Sequence, residues 1–272
     1  MKFFIIKFLY CFGKIINYKK KQNLRIIMMH NLNKNNFKTL EKNLIFLKKK
    51  YNFINPRDIN HKLPNKNNIL LTFDDGFKNN FIFAKKVLKK INVKAVFFIL
   101  TDFVASKRKM DKIEILRNIF PQKKNLNLIK HEPMTWSNLN ELLNMGHMIG
   151  IHGKSHKRLS SIRNSKELKN EIISPKRIVK KKLSLDCNYF AFPFGTCGSI
   201  NKKSMRLIKL NYKYIFSGIR GDNKKIKKKQ LFFRDNIDDS YDRKIIDFFI
   251  NGYGDFLYRK ARNQILTMFS RN

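Results

Sequence analysis

The chain has 272 residues, 43% of them hydrophobic, with 25 Phe and a formal charge of +40. That length suits one large domain such as an α/β barrel, and the apolar content excludes a disordered chain. The lysines run along the whole length among Asn, Ile and Phe, with no zinc-finger spacing, RNP-like stretch or helix-turn-helix pattern beside them, so no nucleic-acid partner is expected. An anionic glycan or an acidic lipid surface stays open as a partner for the positive charge.

Residues 1–22 come first. Phe3 to Ile16 is apolar but broken by Lys7 and Lys14, too short and interrupted for a spanning helix or a signal peptide. It reads either as an amphipathic helix packed on the domain or as an interfacial anchor making peripheral membrane contact, with Lys19, Lys20 and Lys21 at the headgroups. Arg25 to Met29 is a predicted strand and Phe37 to Lys50 a helix, with Leu40, Leu44 and Leu47 at helical spacing. Ile69 to Phe73 is a strand ending in Asp-Asp-Gly, and Phe81 to Ile91 a helix. Ala95 to Leu100 is apolar throughout, as a parallel strand covered on both faces should be. Residues 106–130 read as the segment that shapes substrate choice. Trp136 to Met145 is a helix stopped by Gly146, and Met148 to Ile151 a short strand. Lys166 to Leu183 is helical, with a kink expected at Pro175. Tyr189 to Phe192, Tyr214 to Ser217 and Leu231 to Arg234 are strands, Lys202 to Leu210 is a helix, and Phe248 onward is a helical tail. The β-then-α rhythm predicts a parallel sheet, open or closed into a barrel, with its ligand site at the carboxyl ends of the strands. The expected organisation is an N-terminal amphipathic segment (1–22), one domain (23–250) and a C-terminal helical tail (251–272).

The polar residues at the predicted strand ends are His30, Asp74 with Asp75, His152 with His156, and Arg234. Asp74-Asp75-Gly76 reads as a turn, or as a carboxylate pair compensated by a divalent metal. His152 and His156 read as two His on a polar turn, or as a metal-binding pair at the spacing seen in HExxH sites. With a carboxylate from another strand end they make a three-ligand zinc set with a position open for water. Arg234 reads as a charge partner for Asp74 or as a solvated strand-end Arg. His61, His131 and His147 read as structural or solvated. Cys11, Cys187 and Cys197 are odd in number and include no CxxC, which argues against a disulfide framework and for a reducing compartment. Cys197 reads as a buried thiol or as part of the pocket lining.

Taken together, Thr72-Phe73-Asp74-Asp75-Gly76 and His152-x-x-x-His156 resemble the first two motifs of the polysaccharide deacetylase family, also called the NodB-homology or carbohydrate esterase family 4 domain. Met134-Thr135-Trp136 through Gly146 to His152 looks like the approach to the second motif. Phe190-Ala191-Phe192-Pro193-Phe194-Gly195 is similar to the third motif in a "YPxG" branch, and Ile27-Met28-Met29-His30 to an N-terminal element of that branch. The resemblance implies a distorted (β/α) barrel, a divalent metal, usually zinc, and hydrolysis of N-acetyl groups on sugars. By position, Asp75, His152 and His156 would be the metal ligands and Asp74 the catalytic base. The backbone N–H of Phe194 would help stabilise the oxyanion, and His30 would be the general acid. Ala191 stands where many members carry Arg, which is the reason to look to Arg234. No His follows His156, so His30 must serve or the general acid is missing. The alternative is a catalytically inactive carbohydrate-binding relative, which an absent base or ligand would favour. Cytoplasmic work on a glycan precursor, at the inner membrane surface, would suit the cysteines, the weak leader and the basic charge.

Overall fold

A computed structural model describes residues 24–59, 61, 63, 67–126, 131–223 and 230–270. The expected segment 1–22 lies outside the described residues. Nine strands form one sheet: β1 (Leu24–Met29), β2 (Asn52–Phe53), β3 (Asn68–Phe73), β4 (Ala95–Ile99), β5 (Met148–Ile151), β6 (Tyr189–Ala191), β7 (Tyr214–Phe216), β8 (Leu231–Phe232) and β9 (Asp235–Asn236). The order is β8-β7-β6-β5-β4-β3-β1-β9, with β2 beside the first half of β3, and every pairing is parallel. The strands at the two ends of this order, β8 and β9, are separated in sequence only by Phe233 and Arg234. The sheet must therefore curl until its edges meet, which makes the distorted (β/α) barrel expected from the sequence.

Burial explains which segments became strands. All six residues of β1, all six of β3 and all five of β4 are buried, so both faces of these strands are covered. Helices α1 (Phe37–Lys50), α2 (Lys78–Phe83), α3 (Thr101–Ala105), α4 (Lys109–Ile119), α5 (Trp136–Asn144), α6 (Ser165–Ile172), α7 (Ser174–Leu183), α8 (Lys202–Asn211), α9 (Arg243–Ile250) and α10 (Arg259–Ser270) follow the strands. Helix α1 buries Leu40, Leu44 and Leu47, the stripe read from its spacing. Thr135 caps α5 by accepting from Asn138 N–H in a capping box.

Several predicted boundaries move. The helix predicted over Phe81 to Ile91 begins at Lys78 and passes into a π-helical turn at Ala84–Leu88. Pro175 does not kink one helix but opens a second, where its missing N–H costs nothing. The strand predicted over Leu231 to Arg234 ends at Phe232 as β8, and a further short strand, β9, begins at Asp235 just past Arg234 at the bend. The tail predicted from Phe248 begins inside α9, which starts at Arg243, and α10 is docked on the barrel through buried Ile265. Among the described residues, no helix is long and apolar enough to cross a membrane.

Candidate active site

Parallel strands deliver their carboxyl ends to one rim, and each turn there has a backbone feature that aims a side chain inward. After β3, Asp74 N–H donates to Met29 O at the end of β1 (2.9 Å), locking the two strand ends together. Asp75 and Gly76 then both take left-handed backbone conformations (φ 74° and 84°). For Asp75 that costs about 1–2 kcal/mol, and Asp is among the few residue types that tolerate it. After β5, His152 N–H donates to Ile99 O (2.8 Å), Gly153 is left-handed (φ 91°) and so is His156 (φ 63°). After β6, Phe194 and Gly195 are left-handed (φ 62° and 64°), and a Cβ on Gly195 would lie 2.4 Å from Gly218 N. Only glycine fits there.

These turns bring Asp75, His152 and His156 together, all buried, with one ligand atom from each lying within 4.8 Å of the others. His152 Nε2 is 3.5 Å and His156 Nε2 3.6 Å from Asp75 Oδ1. That oxygen is buried and accepts no hydrogen bond among the described residues. Meanwhile His152 Nδ1 sits 2.7 Å from Ala191 O and His156 Nδ1 3.2 Å from Asn118 O. Each Nδ1 must carry the proton to donate to a carbonyl, which leaves both Nε2 lone pairs facing the orphaned oxygen. Two imidazole lone pairs and a carboxylate converging without a proton to share fit a divalent cation such as zinc. Without one, burial and the charge of Asp74 hold the Asp75 pKa well above its ordinary value. Burial also lowers His152 to about 4 and His156 to about 3.

Asp74 has a different partner. Arg234, fully buried at the β8–β9 bend, donates from Nη1 to Oδ1 (2.7 Å) and from Nη2 to Oδ2 (2.8 Å). Its Nε donates to Ser217 O (2.9 Å), so the fork is fixed at both ends. Arg234 is thus not solvated, and it supplies the charge that Ala191 does not. Burial raises the Asp74 pKa, and Arg234 with His152 more than reverses this, to about 2. Asp74 Oδ2 also lies 3.8 Å from His152 Nε2, at the edge of the cluster.

His30 follows β1, reaches solvent, and lies near enough to Asp74 and Arg234 to feel both charges. The protein packed around its ring lowers its pKa; Asp74 opposes that shift and Arg234 adds to it. The Phe194 ring lies between the His156 ring (4.6 Å) and the Arg158 guanidinium (4.5 Å). The other histidines stand apart from the cluster. His147 is buried under the sheet, accepting from Ala95 N–H (3.1 Å), and His61 pairs with Asp58 on the surface. His131 packs on Phe77 and Phe120. Cys197 Sγ donates to Ala261 O (3.1 Å) and so faces α10 rather than the cluster.

Two contributors were not picked out in the sequence. Asn118 on α4 accepts from His156 through its carbonyl and donates from Nδ2 to Ser155 O (2.8 Å). It lies in the 106–130 segment expected to shape substrate choice, and it holds a histidine. Glu171 on α6 accepts from the loop between the two histidines. Its signal was present: Leu168, Glu171 and Ile172 share the buried face of α6, an unusual place for a carboxylate.

The polysaccharide deacetylase family model matches residues 61–215, more than half of the chain. A peptidoglycan-N-acetylglucosamine deacetylase of Bacillus cereus is 30% identical over 134 residues, which is 48% of this chain and 38% of that protein. The chain therefore matches well under half the length of that relative. Among solved structures, the Streptococcus pyogenes deacetylase PplD in complex with acetate superposes with a TM-score of 0.65 at 18% identity, covering 85% of this chain and 99% of that one. IcaB from Ammonifex degensii superposes with a TM-score of 0.67 at 16% identity, covering 85% and 97%. At such identities these two speak for the fold, while the family match speaks for descent. The chain belongs to the polysaccharide deacetylase family.

Proposed function

We propose that this protein is a metal-dependent hydrolase that removes acetyl groups from N-acetylated sugars of a polysaccharide, oligosaccharide or glycan precursor. The observation that carries this reading is the orphaned Asp75 oxygen facing two histidine lone pairs, next to a second carboxylate pinned by Arg234. Family membership and the deacetylase activity named for the Bacillus cereus relative support the substrate class.

Asp75, His152 and His156 would hold a divalent ion, zinc by the chemistry of the set. Such an ion, when bound, lowers the pKa of water towards ~7 and polarises an amide carbonyl. Asp74 takes the proton from the attacking water. Its low pKa keeps it an acceptor across the ordinary pH range, and Arg234 keeps it aimed. The Phe194 N–H, which makes no hydrogen bond among the described residues, donates to the oxygen that becomes negative as water adds to the carbonyl carbon. His30 protonates the nitrogen as the C–N bond breaks, and acetate and a free amine leave. His152 and His156 contribute orientation, each fixed by a carbonyl at Nδ1. Every residue these roles need is present, which favours an active enzyme over an inactive binding relative.

The test is metal content and acetate release measured together, on the wild type and on Asp75→Ala and His152→Ala. About one divalent ion per chain, lost in both variants along with acetate release from acetylated chito-oligosaccharides or peptidoglycan fragments, is expected. Wild-type protein that takes up no metal after reconstitution would sink the proposal.

A further inference from the structure

The loop between the two histidines is held by a group outside the cluster. Glu171 is 3% exposed, and its carboxylate points into the loop. Oε2 accepts from Lys154 N–H (3.2 Å) and Ser155 N–H (3.0 Å), and Oε1 from the Ser155 hydroxyl (2.6 Å). No Lys or Arg nitrogen among the described residues lies within ion-pair distance of it. A buried carboxylate with no cation is costly unless hydrogen bonds replace its hydration, and here all three donors come from the residues between His152 and His156. On the opposite side Asn118 donates to Ser155 O and its carbonyl accepts from His156. The loop is thus clamped on its N–H side by α6 and on its carbonyl side by α4.

We propose that Glu171 is a positioning residue for the metal site, its buried carboxylate fixing the His152–His156 loop so that both Nε2 atoms face Asp75. This rests on the reading of that cluster as a metal site. The loop needs such a fixture. It must take left-handed backbone at Gly153 and again at His156, a conformation uncommon for any residue with a side chain. It also carries the two ligands at its ends, so any relaxation moves them apart. Glu171 itself is rigid, because Leu168 and Ile172 beside it on α6 are buried in the core. The carboxylate has a second effect. With Asp74 and Asp75 it makes three buried carboxylates in the region, opposed by the guanidinium of Arg234 and, at longer range, by the Lys157 ammonium, so its negative charge adds to the pull on a cation. A clamp and a charge separate in experiment: Gln can still accept from the two backbone N–H groups but carries no charge, and Ala does neither.

The experiment is a zinc titration against a chelator of known affinity, run on wild type, Glu171→Ala and Glu171→Gln, with the melting temperature of each metal-free protein measured alongside. Zinc affinity is expected to fall by about 10–100-fold in the Ala variant, the range seen when groups that orient metal ligands are removed. A smaller loss of several fold is expected in the Gln variant. A merely structural role lowers the metal-free melting temperature and leaves the zinc affinity of the folded protein unchanged, and that result overturns the proposal. If the Ala variant does not fold, the Gln variant decides: wild-type affinity there, together with wild-type affinity in Ser155→Ala, overturns it as well. Wild-type protein that binds no zinc at all refutes the metal-site reading and this proposal with it, whereas tight zinc binding by wild type and Glu171→Ala alike refutes this proposal alone.

Discussion

Asp74 and Asp75 are chemically identical neighbours, and what separates them is their company. Arg234 holds one ionised through two hydrogen bonds, while burial and its neighbour's charge push the other towards protonation. Arg234→Gln should leave the Asp74 carboxylate buried without its bidentate partner. Loss of one partner from such a pair costs about 3–5 kcal/mol. We expect a matching drop in urea stability together with loss of acetate release, and little recovery with Arg234→Lys, whose ammonium cannot reproduce the fork. Unchanged stability would show that the pair is not what organises this end of the barrel. His147 gives the pH-dependent case. Burial lowers its pKa from 6.5 to about 4 while its Nδ1 accepts from Ala95 N–H. The unfolded chain therefore binds a proton that the fold refuses between those values, so stability declines as pH falls from 6.5 to about 4. Between pH 7 and pH 5 this amounts to about 2 kcal/mol. His147→Gln should flatten that part of a urea-midpoint-against-pH curve; equal slopes in both proteins would remove His147 as its source. The chemistry-bearing residues were legible because two motifs pair them at fixed spacing after apolar strands. Asn118 was not, because an Asn on a short helix looks the same in sequence whether it faces solvent or a loop that arrives from elsewhere in the chain, and the apolar spacing around Glu171 marks it as inward-facing without telling what its carboxylate meets.

Among the elements, legibility tracks burial. Strands β1, β3, β4 and β5 are mostly apolar and buried and fall within a residue or so of where the sequence puts them, and α1 coincides with its Leu40-Leu44-Leu47 stripe. The two-residue strands β2 and β9 are too short for any periodicity; they exist because β3 and β1 offer them hydrogen-bonding edges. Helix α2 starts with Lys78-Asn79-Asn80, in which the two Asn are weak helix formers, and Lys78 N–H, which has no acceptor within the helix, donates to Glu132 O (2.8 Å). Tertiary contact overrides propensity at that end. The turn after β6 is the element where backbone constraint is tightest. Gly195 O accepts from Gly218 N–H (2.8 Å), and the two backbones touch. Gly195→Ala meets both a backbone clash and a positive φ, and should destabilise the protein by more than about 1 kcal/mol. The shift also displaces Phe194 N–H, so acetate release should fall further than the stability change explains when assayed well below the melting temperature. A variant of normal activity and stability would mean that this turn is more pliable than its contacts imply.

Across the whole molecule, a parallel barrel that is closed by the chain rather than by a β8–β9 ladder needs something else to hold its seam. That role falls to a buried ionic network. Arg25 on β1 donates to both oxygens of Asp235 on β9 (2.7 and 2.5 Å) and to Asp255 (2.9 Å) in the segment leading to α10, with Phe249 O as a further acceptor. Burial opposes the charge on Arg25, but the two carboxylates outweigh it and raise its pKa, so the guanidinium stays charged. Arg262 on α10 extends the network by donating to Asp255 O (2.7 Å) and Arg220 O (2.8 Å). The segment from residue 251 onward, which the sequence suggests is a mere tail, thus supplies one of the two charges that neutralise the first strand. Asp255→Ala should cost about 3 kcal/mol, because it half-strips a buried cation. Truncation after Ile250 should cost more, since it also uncovers the surface over buried Ile265. Asp235→Ala combined with Asp255→Ala should destabilise by less than the sum of the two single changes, because both act on the same guanidinium. Urea unfolding of the four variants beside the wild type tests all three statements. A truncated chain as stable as the full one would show that the seam is held by β1–β9 pairing alone. Strict additivity in the double variant would show that Arg25 does not couple the tail to the barrel.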